Sequence, residues 1–295
     1  MPSTSSTISL IPESEIHDQE WRLQLRRLRR NPMVVAGIVI LIVWTVAGLL
    51  ASRIAPADPL QQDVMRRLEE PSDAHYFGTD ELGRDILSRV LYGTRITIPA
   101  GLVVIAVGCT LGLFMGAIAG FVGGVWDEII MRLSELFMAF PTIILALAVT
   151  AALGPDLKNA VIALVIVWWP SYARLIRGLV MEMKTREFVE GARSIGASSP
   201  YILFRTVLPN CISSAIVLAT LDIGNAILSI AGLSFLGLGP DPTSPEWGRM
   251  VSIGIDFFDQ WWMWLFPGLA IATVVLAFNF IGDGLRDVLD PRMKH

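Results

Sequence analysis

The sequence predicts an all-α polytopic membrane protein, and three observations carry that prediction. Apolar runs of about 20 residues, the length needed to cross a bilayer, recur along the chain. Mean hydropathy is +0.58, and 53% of the 295 residues are hydrophobic. Only 17% are charged, where a soluble domain carries about 25%. The net charge of −4 says less than where the charges fall.

The first 20 residues are polar and acidic, rich in Ser and Glu, and composition of this kind does not specify a packed core. They do not read as a cleavable secretory signal. The first apolar run begins only at Met33 and continues to Ser52, longer than a signal's hydrophobic region. It reads as a retained span. Trp21–Arg30 (WRLQLRRLRR) is basic and amphipathic. Two readings stand: a helix on the membrane surface with Trp21, Leu23 and Leu28 turned inward, or an ordinary positive flank that sets topology. The chain thus divides into a tail, residues 1–32, and a transmembrane domain, residues 33–295.

Six spans are predicted: Met33–Ile54, Ile96–Phe121, Leu136–Leu153, Ala160–Ile176, Cys211–Leu238 and Trp262–Ile281. With the N-terminus inside, the inner segments hold 15 of the 23 basic residues. The outer segments hold eight, six of them from Arg53 at the end of the first span to Arg95, beside eight acids from Asp58 to Asp85. The positive-inside rule therefore favours both termini in the cytoplasm.

Between the first two spans, Ala55–Arg95 is too patterned for a plain loop. Leu82, Ile86, Leu87 and Val90 have helical spacing, with Thr79 or Asp80 as candidate caps, and predict a partly helical element at the outer surface. In the second span Gly108, Gly112, Gly116 and Gly120 recur every four residues, hence on one face. Small residues at that spacing let two helix backbones approach closely. Flexible points in a moving helix are the alternative. The last outer connection holds Pro240, Pro242 and Pro245, which exclude a long regular helix across it. Trp261, Trp262 and Trp264 open the final span, where an interfacial aromatic belt belongs.

One stretch stands apart. Glu187–Asn210 (EFVEGARSIGASSPYILFRTVLPN) is a charged island between apolar runs, on the cytoplasmic side by the charge rule. Phe188, Ala192 and Ile195 share a helix face. Gly196 ends that helix, Ser198 or Ser199 caps a second one with Pro200 in its first turn, and the second helix runs through Ile202, Leu203, Phe204 and Val207 to Pro209. The island is therefore expected to be a helix-turn-helix held outside the bilayer, where another protein acts on the spans.

Candidate chemistry is sparse. Cys109 and Cys211 lie in or beside apolar runs and read as small buried residues. His17, His75 and His295 are far apart in sequence, and no phosphate-binding loop of the G-x-x-x-x-G-K-[ST] type occurs, so nucleotide hydrolysis by this chain is not expected. Asp222 falls inside the fifth span with Asn225 on the same face. An ionisable group there is costly and marks a functional suspect. It lines a wet pathway or forms a packing hydrogen bond. Asn279 and Asp283 lie near the inner end of the last span and read as helix-end bonding groups.

The island resembles the EAA loop of bacterial ABC importer permeases, a Glu-Ala-Ala triplet, three residues, Gly, then a spacer to Leu-Pro. Here it reads Glu190, Gly191, Ala192, then Gly196, then Leu208 and Pro209. Gly191 departs from the usual alanine, which weakens a helix by up to about 1 kcal/mol and leaves the spacing intact. His75–Tyr92 (HYFGTDELGRDILSRVLY), Pro245–Gly248 (PEWG) and Pro267–Arg292 look like segments of the dipeptide, oligopeptide and nickel permeases, most closely their C-type subunit. The resemblance covers residue 22 to the end.

It implies the type I ABC importer permease fold, with six transmembrane helices and residues 187–210 as a coupling loop. The coupling residues would be Glu187, Glu190, Gly191, Ala192, Gly196, Ala197, Leu208 and Pro209. It also implies a B-type permease as partner, two ATPase subunits that bind the ATP and Mg, and a solute-binding protein outside; no cofactor and no nucleic acid is expected on this chain. The location would be the bacterial inner membrane and the cargo dipeptides or short peptides, with nickel chelates or other small solutes as the alternative within the family. From other classes, a proton-driven secondary transporter would put Asp222 at its centre and leave the island without a task. An intramembrane enzyme would need a catalytic constellation, and neither an H-E-x-x-H motif nor a serine–histidine or aspartate pair is evident in the spans.

Overall fold

A computed structural model describes residues 28–289. Residues 1–27 of the predicted tail, with all but the last three residues of the basic segment Trp21–Arg30, and Arg292 and Lys294 lie outside the described residues. Among the described residues the regular structure is helical, apart from one isolated β-bridge between Thr79 and Asp85.

Nine helices are used below: α1 Pro32–Ile54, α2 Ile86–Val122, α3 Gly124–Met138, α4 Thr142–Leu153, α5 Leu157–Met183, α6 Glu187–Ser194, α7 Ser199–Phe235, α8 Trp247–Asp256 and α9 Trp261–Leu289. Five of them are long and apolar enough to cross a membrane: α1, α2, α5, α7 and α9. The sixth candidate is a bent pair. α3 and α4 meet at 91° across a short break, where Pro141 disfavours helix at Phe140. The predicted third span, Leu136–Leu153, thus holds a right-angle turn that hydropathy does not register.

α2 starts ten residues before the predicted second span. Asp85, rather than Thr79 or Asp80, is its cap, accepting from the Ser88 N–H at 2.7 Å and the Ser88 hydroxyl at 2.7 Å. The predicted outer element is therefore the first turns of a 37-residue helix. Four of the six glycines of α2, Gly108, Gly112, Gly116 and Gly120, face α5. A Cβ on Gly112 would lie 2.7 Å from the Trp169 carbonyl oxygen, and one on Gly120 would lie 2.8 Å from that of Arg177. Main chain touches main chain along this seam, so only glycine fits at these two positions.

The end of the molecule that carries Asp80, Arg84 and Arg89 is closed by buried charge. Arg89 is 1% exposed. It lies 3.5 Å from the Asp80 carboxylate and donates at 3.1 Å to each of the carbonyls of Pro59, Thr243 and Ser244. Arg84 donates to Asp80 and Glu81 at 2.6 and 2.7 Å. Burial pushes the Glu81 carboxyl above its usual range, with Asp80 adding to the rise. Glu246, fully buried, caps α8 by accepting from the N–H groups of Gly248 and Arg249 at 2.8 Å. The outer connection therefore does hold a ten-residue helix, placed after its three prolines. Trp247 drives its indole against Gly93 and donates to the Val90 carbonyl at 2.9 Å. The stretches around His75–Tyr92 and Pro245–Gly248 are thus two halves of one lid.

Trp262 corrects the predicted aromatic belt. It is 3% exposed and donates to the Thr79 carbonyl at 3.1 Å, so it belongs to the core of that lid. Trp261 is the exposed member.

Candidate functional site

At the end of the molecule opposite the lid, α5 runs into α6 and α7. α6 carries Glu187 and Glu190 in its first turn and Arg193 in its last, the arrangement that suits the helix dipole. It ends on Gly196 at φ +83°. The Ala197 N–H reaches the Ala192 carbonyl and the Gly196 N–H reaches that of Arg193, both at 3.1 Å. This pair of bonds is a Schellman ending, which needs a left-handed residue at its turn. Ser198 precedes α7, and Pro200 sits in its first turn.

Val189 is the residue that fastens α6. It is fully buried among Ile176 and Val180 of α5 and Ile202, Leu203 and Val207 of α7, with Ala192 and Ala197 packed beside it. The spacing put Phe188, Ala192 and Ile195 on one helix face. Only Ala192 turns in; Phe188 is 47% and Ile195 86% exposed. An eight-residue helix has room for one buried anchor, and hydrophobicity alone does not say which apolar residue it is. Glu187, Glu190 and Gly191 are exposed, and a Cβ on Gly191 would meet nothing within 4 Å.

The second helix of the island does not stop before Pro209. It widens to a π-helix over Ile202–Val207, closed by the Leu208 N–H on the Leu203 carbonyl, and continues to Phe235. Proline lacks an N–H and its ring collides with the carbonyl four residues back in an α-helix. A π turn moves that carbonyl away. Leu208 is buried and Pro209 exposed. Loop and span are therefore one rod.

Higher on the same rod lies Asp222. The Tyr172 hydroxyl donates to its Oδ2 at 2.8 Å, and Asn225 Nδ2 lies 3.4 Å from Oδ1. Tyr172 is fully buried on α5, at the glycine seam. Sequence reasoning missed it, because an aromatic residue in an apolar run carries no signal of its partner. It also missed Arg84 and Arg89; five charges between Asp80 and Arg89 in so apolar a chain were the available sign. The structure does not bring Asp222 and the 187–210 loop together, and no group of three or more His, Cys, Asp and Glu residues arranged to hold a metal ion is found among the described residues. Asn279 is half-buried and Asp283 exposed on α9.

Comparison with known proteins agrees with this anatomy. Residues 112–295 match the family model described as the binding-protein-dependent transport system inner membrane component. Residues 20–71 match the N-terminal transmembrane domain of oligopeptide transport permease C. The chain is 41% identical to the dipeptide transport system permease protein DppC of Alkalihalophilus pseudofirmus, over 93% of this chain and 90% of that one. It is 43% identical to the probable D,D-dipeptide transport system permease protein DdpC of Escherichia coli K12, over 90% and 89%. It is 45% identical to the glutathione transport system permease protein GsiD of Escherichia coli O6:K15:H31, over 93% and 91%. A solved structure of the MetNI methionine ABC transporter in inward-facing conformations superposes with a TM-score of 0.54 at 19% identity, covering 70% of this chain and 97% of that one, a likeness of fold. The chain belongs to the binding-protein-dependent transport system inner membrane components, and within them to the C-type permease subunits of ABC importers.

Proposed function

We propose that this chain forms half of the translocation path of an importer for dipeptides or short peptides, and that the α6–α7 loop is where an ATPase subunit grips it. The observation that carries the reading is the outer surface of that loop. Phe188, Ile195, Tyr201 and Phe204 are each about half exposed or more, beside Glu187 and Glu190. Large apolar groups rimmed by charge mark a protein interaction surface. The loop is fastened by Val189 and continuous with a span, so a partner that grips it differently in two states turns α7 as a body.

The assembly is this chain, a B-type permease, two ATPases that carry the ATP and Mg, and an extracytoplasmic solute-binding protein. Both termini face the cytoplasm, in accord with the basic residues of the inner segments. The cargo reading rests on the relatives, whose names specify dipeptides, D,D-dipeptides and glutathione. In this reading Asp222 and Asn225 line the path.

The test is purification of the chain from native membranes with its partners, followed by ATP-driven dipeptide uptake in proteoliposomes. Recovery of a second permease and ATPase chains, with both lost or uncoupled on changing Glu190 and Gly196, is the expected result. Uptake driven by a proton gradient, from a chain that captures no ATPase, would overturn it.

A further inference from the structure

We propose that Asp222 recognises the ammonium group of the passing peptide within the membrane, so that cargo travels with its amino end turned to this chain. The inference rests on α7 lining the path and adds what it selects for.

Asp222 is 13 residues from the outer end of α7, about 20 Å at helical rise, and so lies well inside the span. Its carboxylate is served only by neutral donors, the Tyr172 hydroxyl at 2.8 Å and the Asn225 amide at the long distance of 3.4 Å. Among the described residues no ion pair includes it. An ionised carboxylate has about four acceptor positions; Tyr172 fills one well, and Asn225 approaches a second. Tyr172 is immobilised at the glycine seam, so Oδ2 is held while Oδ1 is left underused.

The surrounding face agrees. Asp222, Asn225 and Ser229 follow one another at i, i+3 and i+7 and share a face of α7. Asn225 is exposed and Asp222 half-buried. A stripe of this kind is not turned to hydrocarbon, where ionisable and amide groups are costly; it faces protein or a water-filled space. In such a space a carboxylate with spare acceptor positions attracts a cation with several donors and repels a carboxylate. A peptide's ammonium is the former and its C-terminus the latter.

The experiment uses the whole importer in membrane vesicles, with Cys109→Ala and Cys211→Ala to remove the native thiols and Ser229→Cys as reporter one turn beyond Asn225. Its labelling is timed with a trimethylammonium and with a sulfonate methanethiosulfonate, each normalised to a free thiol, with and without ATP and dipeptide. The expected result is a preference for the cationic reagent of about tenfold or more, slowed by dipeptide, kept in Asp222→Glu and abolished in Asp222→Asn. Asparagine can still accept from Tyr172, so the fold contact survives while the charge goes. ATP-driven uptake is measured on the same vesicles. Intact uptake with no labelling, or with a preference indifferent to Asp222→Asn, overturns the ammonium site and leaves the transport function standing. Failure of Asp222→Asn to assemble where Asp222→Glu assembles makes the charge structural and overturns it too. Absence of ATP-driven uptake in the unsubstituted importer overturns the function, and this inference with it.

Discussion

Gly112 of α2 is placed where any Cβ would collide with the Cβ of Tyr172 and come within 2.7 Å of the Trp169 carbonyl. The same Tyr172 holds Asp222, so the glycine seam sets the position of the membrane-embedded carboxylate. Gly112→Ala is expected to cost about 1–3 kcal/mol through overpacking. Gly108→Ala, whose Cβ would meet Trp168 at an ordinary 3.4 Å, should be neutral or stabilise by up to about 1 kcal/mol through helix propensity. Thermal unfolding of the purified assembly checks this, and equal melting temperatures for the two variants would contradict the seam.

Arg89 ties Asp80 to three carbonyls in the two loops of the lid. Removing Arg89 leaves Asp80 its Arg84 partner but strips the carbonyls of Pro59, Thr243 and Ser244 of a charged donor, at about 1–3 kcal/mol for each buried acceptor left unpaired. Arg89→Ala should therefore release the lid, read as proteolytic cleavage near Thr243 from the outer side. Cleavage within loop 187–210 should be unchanged, that loop being at the far end. A lid that stays resistant would show that Trp247 and Trp262 suffice to close it.

Two glycines of the coupling loop predict opposite signs. Gly191 has open space where a side chain would go, so Gly191→Ala should strengthen α6 by up to about 1 kcal/mol. Gly196 sits at φ +83°, so Gly196→Ala should weaken its C-terminal turn by about 1–2 kcal/mol. Hydrogen exchange of the α6 amides reports both: slower in the first, faster in the second.

Glu246 gives a pH dependence. Burial holds its carboxyl above the ordinary range, against hydrogen bonds that lower it. The folded state then binds its proton more tightly than the unfolded chain does. Stability from this group is greatest in acid and falls as pH rises from the ordinary carboxylate pKa through the raised folded value. The difference in melting temperature between the unsubstituted chain and Glu246→Gln should therefore become less favourable to the former as pH rises over that window. A difference that is flat with pH, or of opposite slope, would refute the sign.

Much of this was legible beforehand. Apolar runs of span length located the membrane helices, and the four-residue glycine repeat announced a close backbone seam. The Gly196 turn followed from glycine's freedom at positive φ. The misreadings share one cause: hydropathy reports what prefers to leave water and not what covers it. Trp262 was assigned to the interface because tryptophan favours it, yet the Thr79 carbonyl claims its indole. Phe188 and Ile195 share a face with Ala192 by spacing, yet both stand exposed, and Val189 between them is the anchor. α2 was begun at Ile96 because charge precedes it, but Arg84 and Arg89 find their partners within the lid. Pro209 was read as a stop because the rule presumes an α-helix, and the π turn before it removes the collision. The pairing of Tyr172 with Asp222, 50 positions apart, is tertiary information that no local pattern holds.

The π turn at Ile202–Val207 also fixes the bearing of everything beyond it. A turn of this kind is an α-helical turn with one residue to spare, and each residue of an α-helix advances the facing direction by about 100°. Deleting a single residue there lets the turn close to α, which keeps the bearing of Asp222 but brings back the collision at Pro209, about 3 kcal/mol. The same deletion after Asn210 would swing the carboxylate by about a quarter turn, off the bearing it shares with Tyr172. The rod thus carries a built-in allowance in its register, on the loop side of Pro209 and nowhere above it.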